Sequence, residues 1–163
     1  MKPSMYPVSA EYPGQLFIMP KPSGEWLEDD VRHYHSMGVD VVISMLEDTE
    51  ATELSLQDEG RVCLSNNMEF LNFPIPDRGL PDKKNFTELV ALVRSRLSQN
   101  KSVAIHCRAG IGRSGMLVCC ALSKFVGSPS AAIQLVSCAR GVEVPDTAEQ
   151  REFIESIAME IDG

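Results

Sequence analysis

Four short runs dominated by apolar and β-branched residues punctuate the chain, and the segments between them carry apolar residues at helical spacing. "QLFIMP" reads as a strand that ends at Pro20, and "VDVVISML" as a buried strand. "MEFLNFPI" is a third strand, halted by the proline-rich "PIPDRGLPD", and "SVAIHC" is a fourth. From Glu25 to Met37 the spacing of Leu27, Val31 and Tyr34 predicts a helix, with Gly38 as its C-terminal cap. Thr49 to about Leu64 reads as helix with poor periodicity. Phe86, Leu89, Val90, Val93 and Leu97 mark a clear helical face. Met116 to Leu122 is apolar on every side, which predicts a central, buried helix. Ser128–Pro129 opens another helix that Gly141 closes, and the last runs from Asp146 to Ile161 with Phe153, Ile154, Ile157 and Ile161 inward.

Strands that alternate with helices predict an α/β fold, a central, mostly parallel sheet flanked by helices. Ligands in such folds bind beyond the carboxyl ends of the strands. The loops after Ile75 and after Cys107 leave strand ends of that kind.

A chain of 163 residues, 44% apolar, suits one domain over 1–163 with a core that needs no disulfide or metal. The proline-broken start, residues 1–14, is expected to be a loose segment and lacks the apolar stretch of a signal peptide. The longest apolar run is far too short to span a bilayer. Net charge is −8, which disfavours nucleic acid and anionic membranes as partners. Five cysteines with no paired motif read as free thiols in a reducing compartment, so the expected location is cytoplasmic.

One stretch changes this picture. In "VAIHCRAGIGRSGMLV" a strand stops at His106–Cys107, and a glycine-rich loop leads into the buried helix. The loop has the form C-x5-R. Cys107 is followed by Arg108, Ala109, Gly110, Ile111 and Gly112, then Arg113 and Ser114. Glycines at 110 and 112 let the backbone curl with several N–H groups inward, and the helix start adds its positive end. The result is a cradle for a tetrahedral dianion. Arg113 can grip two of its oxygens. The same field lowers the proton affinity of the Cys107 thiol, and a thiolate beneath a bound phosphate is placed for in-line attack.

"HCRAGIGRSG" resembles the signature of the cysteine-dependent protein phosphatases, tyrosine-specific and dual-specificity, and the likeness extends from about Val39 to Phe153. The resemblance implies two-step hydrolysis of phosphomonoesters through a cysteinyl-phosphate intermediate, with no metal and no cofactor. It makes Cys107 the nucleophile, Arg113 the phosphate-binding arginine, and Ser114 the hydroxyl that steadies the departing thiolate. His106 orders the loop and tunes the thiol.

The mechanism needs a proton donor on a mobile loop. "FPIPDRGLPD" offers Asp77 and Asp82, and the family pattern, an aspartate in a proline-containing loop before the nucleophile, selects Asp77. Asp82 reads as the cap of the helix that starts near Lys83. Arg78 reads either as a residue that helps hold the closed loop or the substrate, or as a solvated surface residue. In "VPDTAEQREF", Gln150 resembles the second of two water-positioning glutamines, and Asp146 replaces the first. Asp146 with Glu149 also reads as a capping box, and Gln150 as a solvent-facing helix residue. Cys119 and Cys120 read as core. His33 and His35 stand two apart and make a poor metal pair.

The expected substrate is a phosphorylated protein or peptide, phosphotyrosine before phosphoserine, with Ile111, Leu80 and the loop prolines as apolar walls. The alternatives are a phosphoinositide or RNA 5′-phosphatase of the same fold and a non-catalytic phosphate-binding module. Sulfur transfer is a further rival that leaves Arg113, Ser114 and Asp77 unexplained.

Overall fold

The computed structural model describes residues 2–163 and has the expected α/β architecture. Strands β1 (Tyr6–Val8), β2 (Leu16–Met19), β3 (Val41–Ser44), β4 (Glu69–Asn72) and β5 (Val103–His106) form one sheet in the order β1-β2-β5-β3-β4. All neighbouring pairs are parallel except β1 with β2. The helices are α1 (Leu27–Ser36), α2 (Asp48–Glu53), α3 (Glu59–Ser65), α4 (Lys83–Ser98), α5 (Arg113–Val126), α6 (Pro129–Arg140) and α7 (Ala148–Asp162).

The uninterrupted apolar strands follow from burial on both faces. Leu16, Ile18, Val41, Ile43, Val103 and Ile105 pack with α4–α7. Their alternates Phe17, Met19, Val42 and Ala104 pack with Leu27, Val31, Tyr34 and Val62 of α1 and α3. Helix α5 is buried from Arg113 through Ser123, as its all-round apolarity predicts. Ser128 caps α6 by accepting from the Ala131 amide at 3.1 Å, and Gly141 ends it at φ 86°.

Three expectations are corrected. Residues 49–64 form two short helices, because Ser55 turns left-handed at φ 59° and Leu56 dips into the core. The poor periodicity was two faces superimposed. The segment read as loose includes β1, and behind it buried Tyr12 donates from its hydroxyl to the Ala121 carbonyl at 2.6 Å. The box that caps α7 is one residue later than Asp146–Glu149. Thr147 Oγ1 accepts from the Gln150 amide, and Gln150 Oε1 accepts from the Thr147 amide. Asp82 does cap α4, accepting from the Asn85 amide at 3.0 Å.

Candidate active site

The loop between β5 and α5 owes its shape to where its carbonyls go. His106 Nδ1 lies 2.9 Å from the Cys107 carbonyl, and the Lys21 amide donates to that of Arg108 at 3.1 Å. Arg140, at the end of α6, donates from Nη2 to the Ala109 carbonyl and from Nε to that of Gly110, each at 3.0 Å. Four consecutive carbonyls are thus turned outward onto donors, which leaves the amide side of the loop facing in. Gly110 sits at φ 72°, and a Cβ there would run into the Met19 main chain. A Cβ at Gly112 would meet Gln150 Oε1 at 2.9 Å. Arg140 itself lies over the Tyr6 ring, 4.3 Å from its centroid, so the edge strand β1 supports the loop indirectly.

Cys107 lies at the floor of this turn and is buried. Burial alone would push its thiol up. The Ser114 hydroxyl, the amides of Ser114 and Ile111 and the Arg113 charge outweigh burial and hold it below the usual thiol range. Ser114 Oγ is buried and has no conventional hydrogen-bond partner among the described residues, a state that a thiolate acceptor relieves.

Behind the loop, His106 Nε2 lies 2.6 Å from Glu59 Oε2, with both side chains buried. Each ring nitrogen faces an acceptor, a carboxylate on one side and the Cys107 carbonyl on the other. Burial opposes the imidazolium, but the Glu59 charge and hydrogen bond prevail and raise the His106 pKa. A raised folded-state pKa stabilises the fold most below the ordinary histidine value of 6.5, and the contribution is lost as pH rises through the raised value. Glu59→Gln is therefore expected to cost about 3 kcal/mol of stability at mildly acid pH, from an unpaired buried charge. The deficit should shrink as pH rises and the ring becomes neutral in both proteins. Denaturant midpoints across pH measure it, and a deficit that is flat or grows with pH contradicts the pairing.

Arg113 is only 2% exposed. It donates to both oxygens of Glu50, Nη1 to Oε1 at 2.7 Å and Nη2 to Oε2 at 2.9 Å. Nη1 also donates to the Ile75 carbonyl at 2.9 Å, so the guanidinium is anchored beyond the carboxyl end of β4. The pairing holds the Glu50 carboxyl below the usual carboxylate range. Asp77 Oδ1 accepts from Nη2 at 3.3 Å, and its side chain is 61% exposed at the mouth. Arg108 through Gly112, apart from Gly110, line a pocket of about 200 Å³ with Cys107, Arg113, Asp77, Arg78 and Asp146.

The structure thus brings Cys107, Arg113 and Asp77 together, with Ser114 and His106 behind the thiol. Leu80 and the loop prolines lie outside the pocket, so its apolar lining comes from Ile111 and Ala109. Gln150 is fully buried, which corrects the solvent-facing reading. Its Oε1 accepts from the Asp146 amide at 3.1 Å, and its Nε2 donates to the Gly79 carbonyl at 3.3 Å. It ties the Asp77 loop to the start of α7. The sequence reading missed Glu50, Glu59 and Arg140. The available signal for the first two was acidic residues at inward positions of a segment with broken periodicity.

This geometry presents a polarised thiol, a planar cation and inward amides to one tetrahedral anion, with a carboxyl above. Residues 19–126 match the model of a family described as "Polymorphic toxin system, DSP-PTPase phosphatase". Protein tyrosine phosphatase domain-containing protein 1 of Danio rerio is 26% identical over 117 residues. That match takes in 66% of this chain and spans only 16% of the relative's length. Among solved structures, kinase associated phosphatase with its catalytic cysteine substituted by serine shares the fold at a TM-score of 0.89. Identity there is 18%, over 99% of this chain and 97% of that one. Tk-PTP in its active form is 28% identical, with a TM-score of 0.75 over 94% of this chain and 98% of that one.

Proposed function

The chain belongs to the DSP-PTPase phosphatase family, and from that premise we propose that it hydrolyses phosphoproteins through a cysteinyl-phosphate intermediate. The observation that carries the proposal is the floor of the cradle. A thiol held below its usual range lies under inward amides, beside an arginine whose outer edge is turned to the pocket.

In the first step the Cys107 thiolate attacks phosphorus in line. The S–P bond forms, the P–O bond to the leaving group breaks, and protonated Asp77 delivers its proton to the departing oxygen. Arg113, the loop amides and the N-terminus of α5 carry the negative charge of the transferring phosphoryl group. In the second step water attacks phosphorus and gives a proton to the Asp77 carboxylate. The S–P bond breaks, and Ser114 steadies the returning thiolate. His106 keeps the Cys107 carbonyl turned away, and Gln150 supports the acid loop.

Arg108 is the sole cation among the five positions between Cys107 and Arg113, and Ile111 offers an apolar wall to an aryl ring. Both features support phosphotyrosine over polyanionic phosphoinositides and RNA 5′-phosphates. The test is a panel of phosphotyrosine, phosphoserine and phosphothreonine peptides, phosphoinositide and RNA 5′-phosphate, assayed in EDTA. Phosphotyrosine peptide should give the highest kcat/KM. A phosphoinositide or RNA end turned over about tenfold better, or strict dependence on added metal, overturns the proposal.

A further inference from the structure

The hydrogen bonds of Arg113 pose a problem for the acid loop. Each Nη atom carries two hydrogens. Those of Nη1 go to Glu50 and the Ile75 carbonyl, with the Met45 carbonyl a more distant acceptor at 3.5 Å, and one of Nη2 goes to Glu50. The edge left for phosphate is Nε and the second Nη2 hydrogen, and Asp77 holds the latter. A bound phosphate takes that hydrogen over, because its charged oxygens are stronger acceptors than the protonated Asp77 carboxyl. The direct tie between Asp77 and the cradle is therefore lost just when the proton donor has to stay in place.

Two other contacts survive. Next to Asp77, Arg78 Nη1 donates to Asp146 Oδ2 at 3.1 Å across the pocket mouth. One residue on, the Gly79 carbonyl accepts from buried Gln150. The turn is tight, with the Gly79 amide donating to the Pro76 carbonyl at 2.7 Å. Arg78 occupies the left-handed region at φ 60°, unusual for a residue other than glycine, asparagine or aspartate. That conformation delivers the Arg78 side chain to the α7 side of the mouth. Asp146 is held to receive it, because its own amide is bonded to Gln150.

Resting on the reading of Asp77 as proton donor, we propose that the Arg78–Asp146 ion pair is a latch that keeps the Pro76–Gly79 turn closed over bound phosphate. Arg78 and Asp146 are positioning residues; neither handles the transferred proton. Both side chains are exposed, at 63% and 41%, so the pair is weak and screened by salt. A weak latch allows the turn to open for product release.

The test is a charge-swap cycle: Arg78→Glu, Asp146→Arg, and both together. A change in the pocket's field alone alters KM for every substrate alike. Loss of the latch lowers kcat, and more so for a phosphotyrosine peptide than for p-nitrophenyl phosphate, whose leaving group needs less protonation. Each single swap should lower kcat on the peptide about fivefold, and the double swap should restore it to within about twofold. Equal losses on both substrates, no loss, or no rescue overturn the latch. Hydrogen exchange supplies a readout independent of turnover. With phosphate saturating, the Gly79 amide should exchange faster in each single variant and recover in the double. Unchanged exchange overturns the latch even if wild type hydrolyses nothing, an outcome that would by itself refute the phosphatase reading.

Discussion

Cys107→Ser is expected to lower kcat by about 10⁴ or more while phosphate or tungstate binding stays within a few-fold of wild type. Nucleophile and cradle are separable here. The carbonyls of Cys107 through Gly110 are held outward by His106, Lys21 and Arg140, and Arg113 is held by Glu50 and Ile75. None of these contacts uses the sulfur. The surroundings that favour a thiolate fall far short of ionising an alcohol, so serine remains a protonated, poor nucleophile.

Iodoacetate should alkylate wild type at pH values below the ordinary thiol range around 9.0, since the Cys107 pKa is lowered. Bound phosphate should protect the thiol. Acid-quenched wild type should carry phosphate on Cys107. Turnover retained in Cys107→Ser, or phosphate found on another side chain, would rule out the cysteinyl-phosphate path.

The parts of this site legible in the sequence are those whose chemistry is local. Cysteine, glycines, arginine and serine between Cys107 and Ser114 belong to one turn, so their spacing alone implies a cradle. Asp82 was legible as a cap for the same reason, since its partner is three residues away. Glu50 was not, because it meets Arg113 across 63 residues, and on a short helix a glutamate looks like solvated surface. Glu59, which meets His106 across 47 residues, shares that disguise. Arg140 is hidden differently. A basic residue in the last turn of a helix already has a local explanation in the helix dipole, yet its guanidinium supports the loop 30 residues before it. The cap of α7 was displaced by one residue for a related reason. Aspartate and threonine are both good caps, and Asp146 is drawn to Arg78.

Asp77→Asn is expected to lower kcat on a phosphotyrosine peptide by about 10²–10⁴, the usual scale for a positioned acid. The substitution is nearly isosteric and the side chain is 61% exposed, so the fold is expected to be unaffected. Asp82→Asn is the matched control. It lies five residues on in the same proline-rich stretch, but its carboxylate is turned to the start of α4 and bonded to the Asn85 amide. Asparagine caps helices nearly as well, so that variant should keep both its rate and its stability. Asp82→Ala should lose about 1 kcal/mol of stability and little turnover. The leaving group sharpens the comparison. An activated aryl phosphate departs with little help, so Asp77→Asn should lose less on it than on the peptide. If Asp82→Asn shows the larger kinetic loss, or if the Asp77→Asn deficit is the same for every leaving group, Asp77 is not the proton donor.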